Sequence, residues 1–339
     1  MSKLTNYVNA AVFVSVSVLL GACGGGGGGG SDSVTTSSAP VTISAANASE
    51  VAAAAYESTA GFEGGSIGAE NLVPIPVGVV TQTSSANIDL VDVLMSQVKT
   101  VPQLTSANAS ASLTGVVVSE TMPCTSGSIS ITFDDIDNNQ ELSTGDSMSF
   151  AANNCTEGGM TMNGSVSINN VTVSGDPQTP LSPYSMQFSI QANNFTVTEG
   201  VESAALNGGM TMAESTSDGV LFTHSISGSS IQVTEGGVTA GLSNFSIGAS
   251  EDNNTLAYTL DLNATVSSSE IGGSVSIVTD NVFEGFGLDY PSSGQATITG
   301  ANNSRVTLIA LNSIDVRLEI DADGDGAAET ITDTTWDAL

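Results

Sequence analysis

The sequence contains very few residues that carry a positive charge. Its 339 residues include only four Lys and Arg residues and one His, against 35 Asp and Glu, so the formal net charge is −31. A chain this acidic repels nucleic-acid phosphates and anionic lipid head groups, and it has no basic patch that would bind either. The composition therefore argues against nucleic-acid binding and favours an interaction with divalent cations.

Charged residues of either sign are also scarce, at 12 %, and aromatic residues make up only 5 % of the chain. Most of the polar surface must then be formed by Ser, Thr, Asn and Gly. That surface is typical of an exported protein built mainly from β-strands. The length suffices for one large domain or two smaller ones.

Cysteine is rare, with three residues in the whole sequence. Two of them, Cys124 and Cys155, lie in the part that would be exported into an oxidising compartment, so we expect them to form a disulfide. Closing a loop of this size stabilises a fold by about 3.5 to 4 kcal/mol in the chain-entropy treatment. The absence of a CxxC spacing and of a nearby His argues against a redox or metal role for this pair.

The N-terminal segment is typical of a bacterial lipoprotein export signal. Lys3 gives it a positive start, and the apolar run from Val8 to Leu20 is too short to span a membrane as a mature helix. The run continues into Leu20-Gly21-Ala22-Cys23, which is similar to a lipobox, in which the Cys23 thiol is lipidated and the chain is cut before it. Because Gly24 is not the Asp that retains such proteins at the inner membrane, we expect a palmitate-type anchor in the outer membrane, facing the periplasm or the cell surface.

An unbroken glycine run, Gly24 to Gly30, follows the anchor and continues into Ser, Thr and Pro. Such a segment has nothing to bury and is expected to be a flexible tether. The sequence therefore divides into a signal peptide over residues 1–22, lipidated Cys23 with its tether over 23–42, a helical segment over 43–104 and an antiparallel β-domain over 105–339.

Two helices are predicted in the helical segment. Ser44 or Asn47 caps the first, an alanine-rich run through Tyr56 that Gly61 ends. The second begins at Ser85 or Asn87 and stops at Pro102. Its apolar residues recur at helical spacing, at Ile88, Val91, Leu94 and Val98.

From about residue 110 the hydrophobic period is two, which predicts half-buried strands with one polar face. In three predicted strands the alternation of apolar and polar residues changes phase midway. This change predicts either β-bulges or short turns at Asn193-Asn194, Gly228-Ser229 and Ser243-Asn244. An internal repeat relates Ser189–Leu206 to Ser225–Leu242 and indicates repeated hairpins. The expected fold is mainly β: a large, curved, antiparallel up-and-down sheet of roughly 13 strands, either open or folded over as a half-barrel, with the two helices covering its apolar face.

Two acidic loops are candidates for binding calcium. Near the C-terminus, Asp321, Asp323 and Asp325 stand at alternate positions with Gly326 at the sixth and Glu329 at the ninth, as in the first half of an EF-hand loop. The bidentate acid at position 12 and the flanking helices are missing. The alternative is a solvated acidic turn.

The other loop lies between the two cysteines and fits the same spacing at positions 1, 3, 5, 7, 9 and 12. These positions are Asp135, Asp137, Asn139, Glu141, Ser143 and Asp146. Gln140 stands where an EF-hand has its glycine, which puts the tight turn in doubt. Metal and disulfide would stiffen one hairpin together.

Signals for catalysis are poor. Gly64-Gly65-Ser66-Ile67-Gly68 matches GxSxG, but no strand leads into it and prolines follow soon after. The single histidine, His224, lies on the apolar phase of a strand, so we expect a buried, hydrogen-bonded structural residue rather than a general base. We therefore expect no enzymatic activity, and a hydrolase is the least supported alternative.

The chain resembles a loosely defined family of β-rich lipoproteins of Gram-negative bacteria. The resemblance rests on the lipobox with its glycine tether, on the stretch from Cys124 to Cys155 with its Asp-rich loop, and on the ending from Asp321 to Leu339. It implies a location and an architecture but no activity.

These features lead us to expect an outer-membrane-anchored envelope lipoprotein with a structural or interaction role, stabilised by Ca²⁺. The alternative is a carrier of amphiphiles, because a curved sheet with helices across its apolar face could hold an acyl chain. The expected partners are the membrane, through the lipid anchor, and an unidentified protein or lipid ligand.

Overall fold

The computed structural model describes residues 39–60, 116–139, 143–176, 182–200, 202–235, 237–287 and 289–339. These residues belong to one compact unit, Thr35–Leu339. The predicted signal peptide, the lipidated Cys23, most of the tether and the GxSxG match lie outside the described residues. No helix in the described ranges is long and apolar enough to cross a membrane.

The strands form one antiparallel sheet in which each strand pairs with the next along the chain, from β1 to β14. The strands are β1 Val116–Pro123, β2 Ser126–Asp135, β3 Ser147–Glu157, β4 Met160–Gly175, β5 Tyr184–Glu199, β6 Glu202–Thr216, β7 Leu221–Glu235, β8 Val238–Asp252, β9 Ala257–Ser268, β10 Gly273–Phe286, β11 Ser293–Thr299, β12 Arg305–Ala310, β13 Asp315–Asp321 and β14 Thr330–Thr335. The predicted mainly β fold with an up-and-down meander is confirmed. The 36-residue repeat corresponds to the neighbouring hairpins β5–β6 and β7–β8.

Buried and exposed residues alternate along the strands, since successive side chains point to opposite faces of a sheet. The predicted bulges exist within continuous strands, so short turns at these places are ruled out. Asn193-Asn194 of β5 lies opposite the single residue Asn207, and Gly228-Ser229 of β7 opposite Met210. The third bulge is displaced by one residue from its predicted place, to Asn244 and the residue after it.

Three bulges, in β3, β5 and β8, share a backbone conformation that turns the apolar side chains back to the inner face. Asn154 of β3, Asn194 of β5 and Asn244 of β8 have φ values of 45°, 45° and 48°, in the left-handed region that Asn tolerates better than most residues. In each case an apolar residue that is buried follows the Asn, and Ser or Thr comes next. The extra residue therefore returns the apolar side chain to the inner face.

One α-helix, α1 at Ala48–Ala60, packs on the inner face of β8, β9, β10, β12 and β13. Its side chains at Val51, Ala52 and Ala55 are almost completely buried. Within the described residues the structure thus has one helix, and the two-helix cover expected from the sequence is not borne out. The second predicted helix, between Ser85 and Pro102, lies outside the described residues.

An aromatic cluster lies where α1 meets the C-terminal strands. The ring of Phe283 on β10 lies 6.4 Å from that of Trp336, which directly follows β14. Tyr56 of α1 contacts both rings, with centroid distances of 5.5 and 4.9 Å. Four strand spacings of a flat sheet would span roughly 19 Å, so this short distance favours the predicted curvature, which stays a prediction.

The chain before α1 is a short strap across the same region. The backbone N–H of Val41 donates to the Ser274 carbonyl at 2.9 Å, and the Val41 carbonyl accepts from Ala301 at 2.7 Å. The N–H of Ile43 donates to the Ser304 hydroxyl at 2.8 Å. Hydrogen bonding to the sheet thus begins slightly before residue 43, where the sequence predicts that the helical segment begins.

Candidate metal-binding loops

The first acidic loop connects β2 to β3. Its C-terminal part is fixed to β4, because the N–H of Gly145 donates to the Val171 carbonyl at 2.9 Å. The Thr144 hydroxyl donates to the Val173 carbonyl at 2.9 Å and accepts the Val173 N–H at 2.7 Å. Sequence reasoning did not identify Thr144, since its partner is 29 residues away.

Side chains of this loop converge as the predicted spacing requires. Carboxylate oxygens of Asp135, Asp137 and Asp146 all lie within 4.8 Å of one another. The Ser143 hydroxyl is 3.0 Å from Oδ2 of Asp137 and 2.9 Å from Oδ2 of Asp146. The Asn139 amide donates to Oδ2 of Asp137 at 3.1 Å. Five of the six predicted ligands thus come together, and the sixth, Glu141, lies outside the described residues.

Burial makes this cluster electrostatically costly. Asp135 and Asp146 are 2 % and 0 % exposed, whereas Asp137 is exposed. Backbone N–H groups compensate in part: Ile136 and Ser143 donate to Asp146 at 2.8 and 2.6 Å. Hydrogen bonds do not remove the repulsion between carboxylates at this separation, so the site favours a bound cation.

No arginine of the described residues forms an ion pair with this loop. Those residues include two basic side chains, Arg305 and Arg317, and each pairs with another carboxylate. Arg317 binds Asp333 at 2.7 Å, and its hydrogen bonds lower the pKa of the Asp333 carboxyl. Among the described residues, therefore, no arginine balances the charge of the first loop.

The second acidic loop connects β13 to β14. Carboxylate oxygens of Asp321, Asp323, Asp325 and Glu329 lie within 4.8 Å of one another, so this cluster could hold a metal ion. The Asp321 carboxylate accepts the N–H groups of Gly324 and Gly326 at 2.7 and 2.9 Å, and Oε2 of Glu329 accepts that of Ala322 at 2.7 Å. All four predicted residues are thus brought together.

Arg305 distinguishes the second loop from the first. It faces Asp321 across the β12–β13 pair, with Nη2 3.0 Å from Oδ2. Asp321 is the buried member of its cluster, at 6 % exposed, and this guanidinium already neutralises it. Sequence reasoning missed Arg305, because the register of β12 on β13 is what places it there.

The predicted disulfide is confirmed. Cys124 and Cys155 are 31 residues apart in sequence and 5.4 Å apart between Cα atoms. The bond ties the start of β2 to the end of β3, and the first acidic loop closes the opposite end of the same hairpin. Metal and disulfide would thus act at the two ends of one pair of strands.

Comparison of the chain with models of protein families, with curated proteins and with solved structures found no match.

Proposed function

We propose that the protein is an envelope lipoprotein with a structural or interaction role, whose β2–β3 hairpin is stabilised by Ca²⁺. The observation that carries the proposal is the convergence of Asp135, Asp137 and Asp146, two of them buried, at a place that no basic side chain of the described residues neutralises. The anchor at Cys23 and the outer-membrane location rest on the lipobox-like sequence alone.

The chemistry of the donors favours calcium among the common cations. The side chains that converge offer only oxygen atoms, from three carboxylates, the Asn139 amide and the Ser143 hydroxyl. Hard cations such as Ca²⁺ and Mg²⁺ prefer oxygen ligands, and Ca²⁺ accepts the irregular sets of six to eight that loops provide. Calcium at about 10⁻³ M, as outside cells, fills even a weak site.

The experiment is thermal unfolding of the full chain in EDTA, in CaCl₂ and in MgCl₂. We expect Ca²⁺ to raise the melting temperature by roughly 5 °C once its concentration is about 100-fold above the Kd, since only the folded state binds it. Asp137→Asn is the most informative variant, because its side chain is exposed and its loss need not disturb folding. Asp261→Asn, an exposed carboxylate on β9, is the matched control.

A calcium response that disappears in Asp137→Asn and persists in Asp261→Asn supports the site. An equal response in both variants, or the same shift with MgCl₂, contradicts calcium binding at this loop. The lipid anchor is tested separately by labelling cells with radioactive palmitate: the wild type should incorporate it and Cys23→Ala should not.

The alternative of an amphiphile carrier rests on the apolar inner face of the sheet, which a ligand with an acyl chain would match. The apolar side chains of this face on β2–β7 are buried, although α1 packs on strands from β8 onward. The two functions are separable, because a carrier should yield lipid in organic extracts of the purified full chain with Cys23→Ala, whereas a purely structural protein should yield none.

A further inference from the structure

A buried pair of ionisable side chains joins β6 and β7, outside both acidic loops. Glu214 and His224 are direct partners across the two strands and share the inner face of the sheet. They are 8 % and 9 % exposed. Nδ1 of His224 lies 3.4 Å from Oε2 of Glu214.

The surroundings of His224 differ from what the sequence predicted. The residue is buried as expected, but the expected hydrogen bond is absent, because neither ring nitrogen has a partner with hydrogen-bond geometry and both are inaccessible to water. A buried polar atom without a partner costs stability, and such atoms are rare in native proteins. Their presence beside a carboxylate calls for a physical explanation.

The carboxylate of Glu214 has one neutral partner on its other oxygen. The hydroxyl of Tyr184 on β5 donates to Oε1. The two Arg side chains of the described part of the chain pair with Asp321 and Asp333, on other strands. The imidazole is therefore the nearest described group that could carry a positive charge beside Glu214.

Other titratable side chains on the same face add no positive charge. Glu251 of β8 pairs in register with Phe222 and with Tyr258 of β9, both of which are on the inner face. Glu251 therefore contributes a second carboxylate near His224, and Tyr184 and Tyr258 contribute neutral phenols. The ring of Phe222 lies almost parallel to the imidazole, at an interplanar angle of 10° and a centroid distance of 6.5 Å.

We propose that Glu214 and His224 form a proton-dependent link between β6 and β7. In mildly acidic medium the neutral imidazole takes one proton from solvent, and its Nδ1–H donates a charge-assisted hydrogen bond to Oε2 of Glu214. The pair then carries no net charge. As the pH rises, the proton returns to solvent and the ion pair is lost. The link thus stabilises the middle of the sheet at low pH and ceases to do so at high pH.

The test uses the fact that His224 is the only histidine of the sequence. The full chain is purified with a tag that contains no histidine and is labelled with ¹⁵N-histidine. Every ¹⁵N resonance of an imidazole ring then comes from His224. The ¹⁵N shifts distinguish the charged ring from its neutral tautomers during a titration from about pH 8.5 to about pH 5.

We expect the ring to become charged across this range in the wild type. In Glu214→Gln, which keeps the shape and removes the charge, the ring should bind the proton more weakly than in the wild type. Glu199→Gln, which removes an exposed carboxylate at the end of β5, should leave the titration unchanged. A ring that stays neutral throughout in the wild type, or that titrates identically in Glu214→Gln, overturns the proposal.

Thermal unfolding provides a second measurement that does not depend on the folding of Glu214→Gln. His224→Gln should lower the melting temperature more at about pH 5.5 than at about pH 8, since only the charged ring forms the ion pair. An equal fall in the melting temperature at both pH values would show that His224 only fills space.

Discussion

Single residues determine the backbone at several bulges of the long strands. An Asn or Gly with positive φ lies at these places, and some of the glycines approach the neighbouring strand closely. Gly164 on β4 is such a place, with φ of +92° and the carbonyl of Asn194 directly beside it. The conformation and the close approach both require a residue without a side chain.

Gly164→Ala should destabilise the protein by about 3 kcal/mol or more, because its Cβ would overlap the Asn194 carbonyl oxygen and force β4 and β5 apart. Gly159→Ala is a matched control, since its φ is +93° but no atom lies near the added Cβ. It should cost only about 1 to 2 kcal/mol. Urea denaturation measures both, and equal losses would show that backbone strain alone explains the glycine at 164.

At the same scale, Glu57 of α1 gives a pH-dependent stability. Partial burial and then the negative charge of Glu270 raise the pKa of its carboxyl. A carboxyl whose pKa is raised on folding destabilises the folded state when it is ionised, so acidification relieves the cost.

Glu57→Gln should therefore raise the melting temperature by a few degrees at most at about pH 7. The advantage should shrink as the pH falls through the raised pKa and vanish below about pH 4, near the ordinary value of a glutamate. Melting curves over this range check it against Glu199→Gln as control. An advantage that does not change with pH would contradict the electrostatic cause.

At the level of elements, the two acidic loops achieve charge balance differently. Both close a pair of neighbouring strands, β2–β3 and β13–β14, and both direct several backbone N–H groups at a buried aspartate. Only the second has an arginine, Arg305, supplied by the adjacent strand β12. The guanidinium takes the place that a cation would otherwise fill, so we expect the first loop to bind calcium more tightly.

Arg305→Gln should make the second loop depend on calcium. The measurement is made in the Asp137→Asn background, so that the first loop contributes no response. Without Ca²⁺ we expect a loss of about 1 to 2 kcal/mol, since the arginine is partly exposed. Millimolar Ca²⁺ should then restore stability. Arg317→Gln removes the neighbouring exposed ion pair and should show no rescue; rescue of both variants would disprove a specific role for Arg305.

At the scale of the whole molecule, the described sheet is open, with β1 and β14 at its edges. Edge strands invite pairing between molecules, and proteins commonly block them with charges, prolines and short length. β1 carries Glu120 on its inner face, opposite Ile131, and ends at Pro123. β14 is six residues long and polar except for Ile331. The large negative charge of the chain adds a general repulsion.

Glu120→Val should promote association through β1, because it replaces the inward charge on the edge with an apolar side chain. We expect the average sedimentation coefficient to rise with protein concentration in the variant more than in the wild type. Glu199→Val, which makes the same exchange at the exposed end of β5, is the control. If both variants associate equally, the position of the charge on the edge does not matter.

The sequence by itself determined the properties that depend on neighbours along the chain. The alternation of apolar and polar residues determined which side chains of β5 and β9 face inward, because successive residues of a strand point to opposite faces. Changes in the phase of this alternation located the bulges to within one residue. The spacing of the aspartates predicted both clusters, since a loop of that length must bring its own oxygens together. The Asn-apolar-Ser/Thr pattern would have marked further bulges, such as that at Asn154.

Only the tertiary structure decided which residues meet across strands. The pairing of Arg305 with Asp321 and of His224 with Glu214 depends on turn lengths and on every bulge between the partners, and one residue of slip would turn the side chains to opposite faces. The contacts of Tyr56 with Phe283 and Trp336 depend on how α1 packs against the sheet. Local patterns carry no information about such distances, because packing and register are properties of the whole assembled sheet.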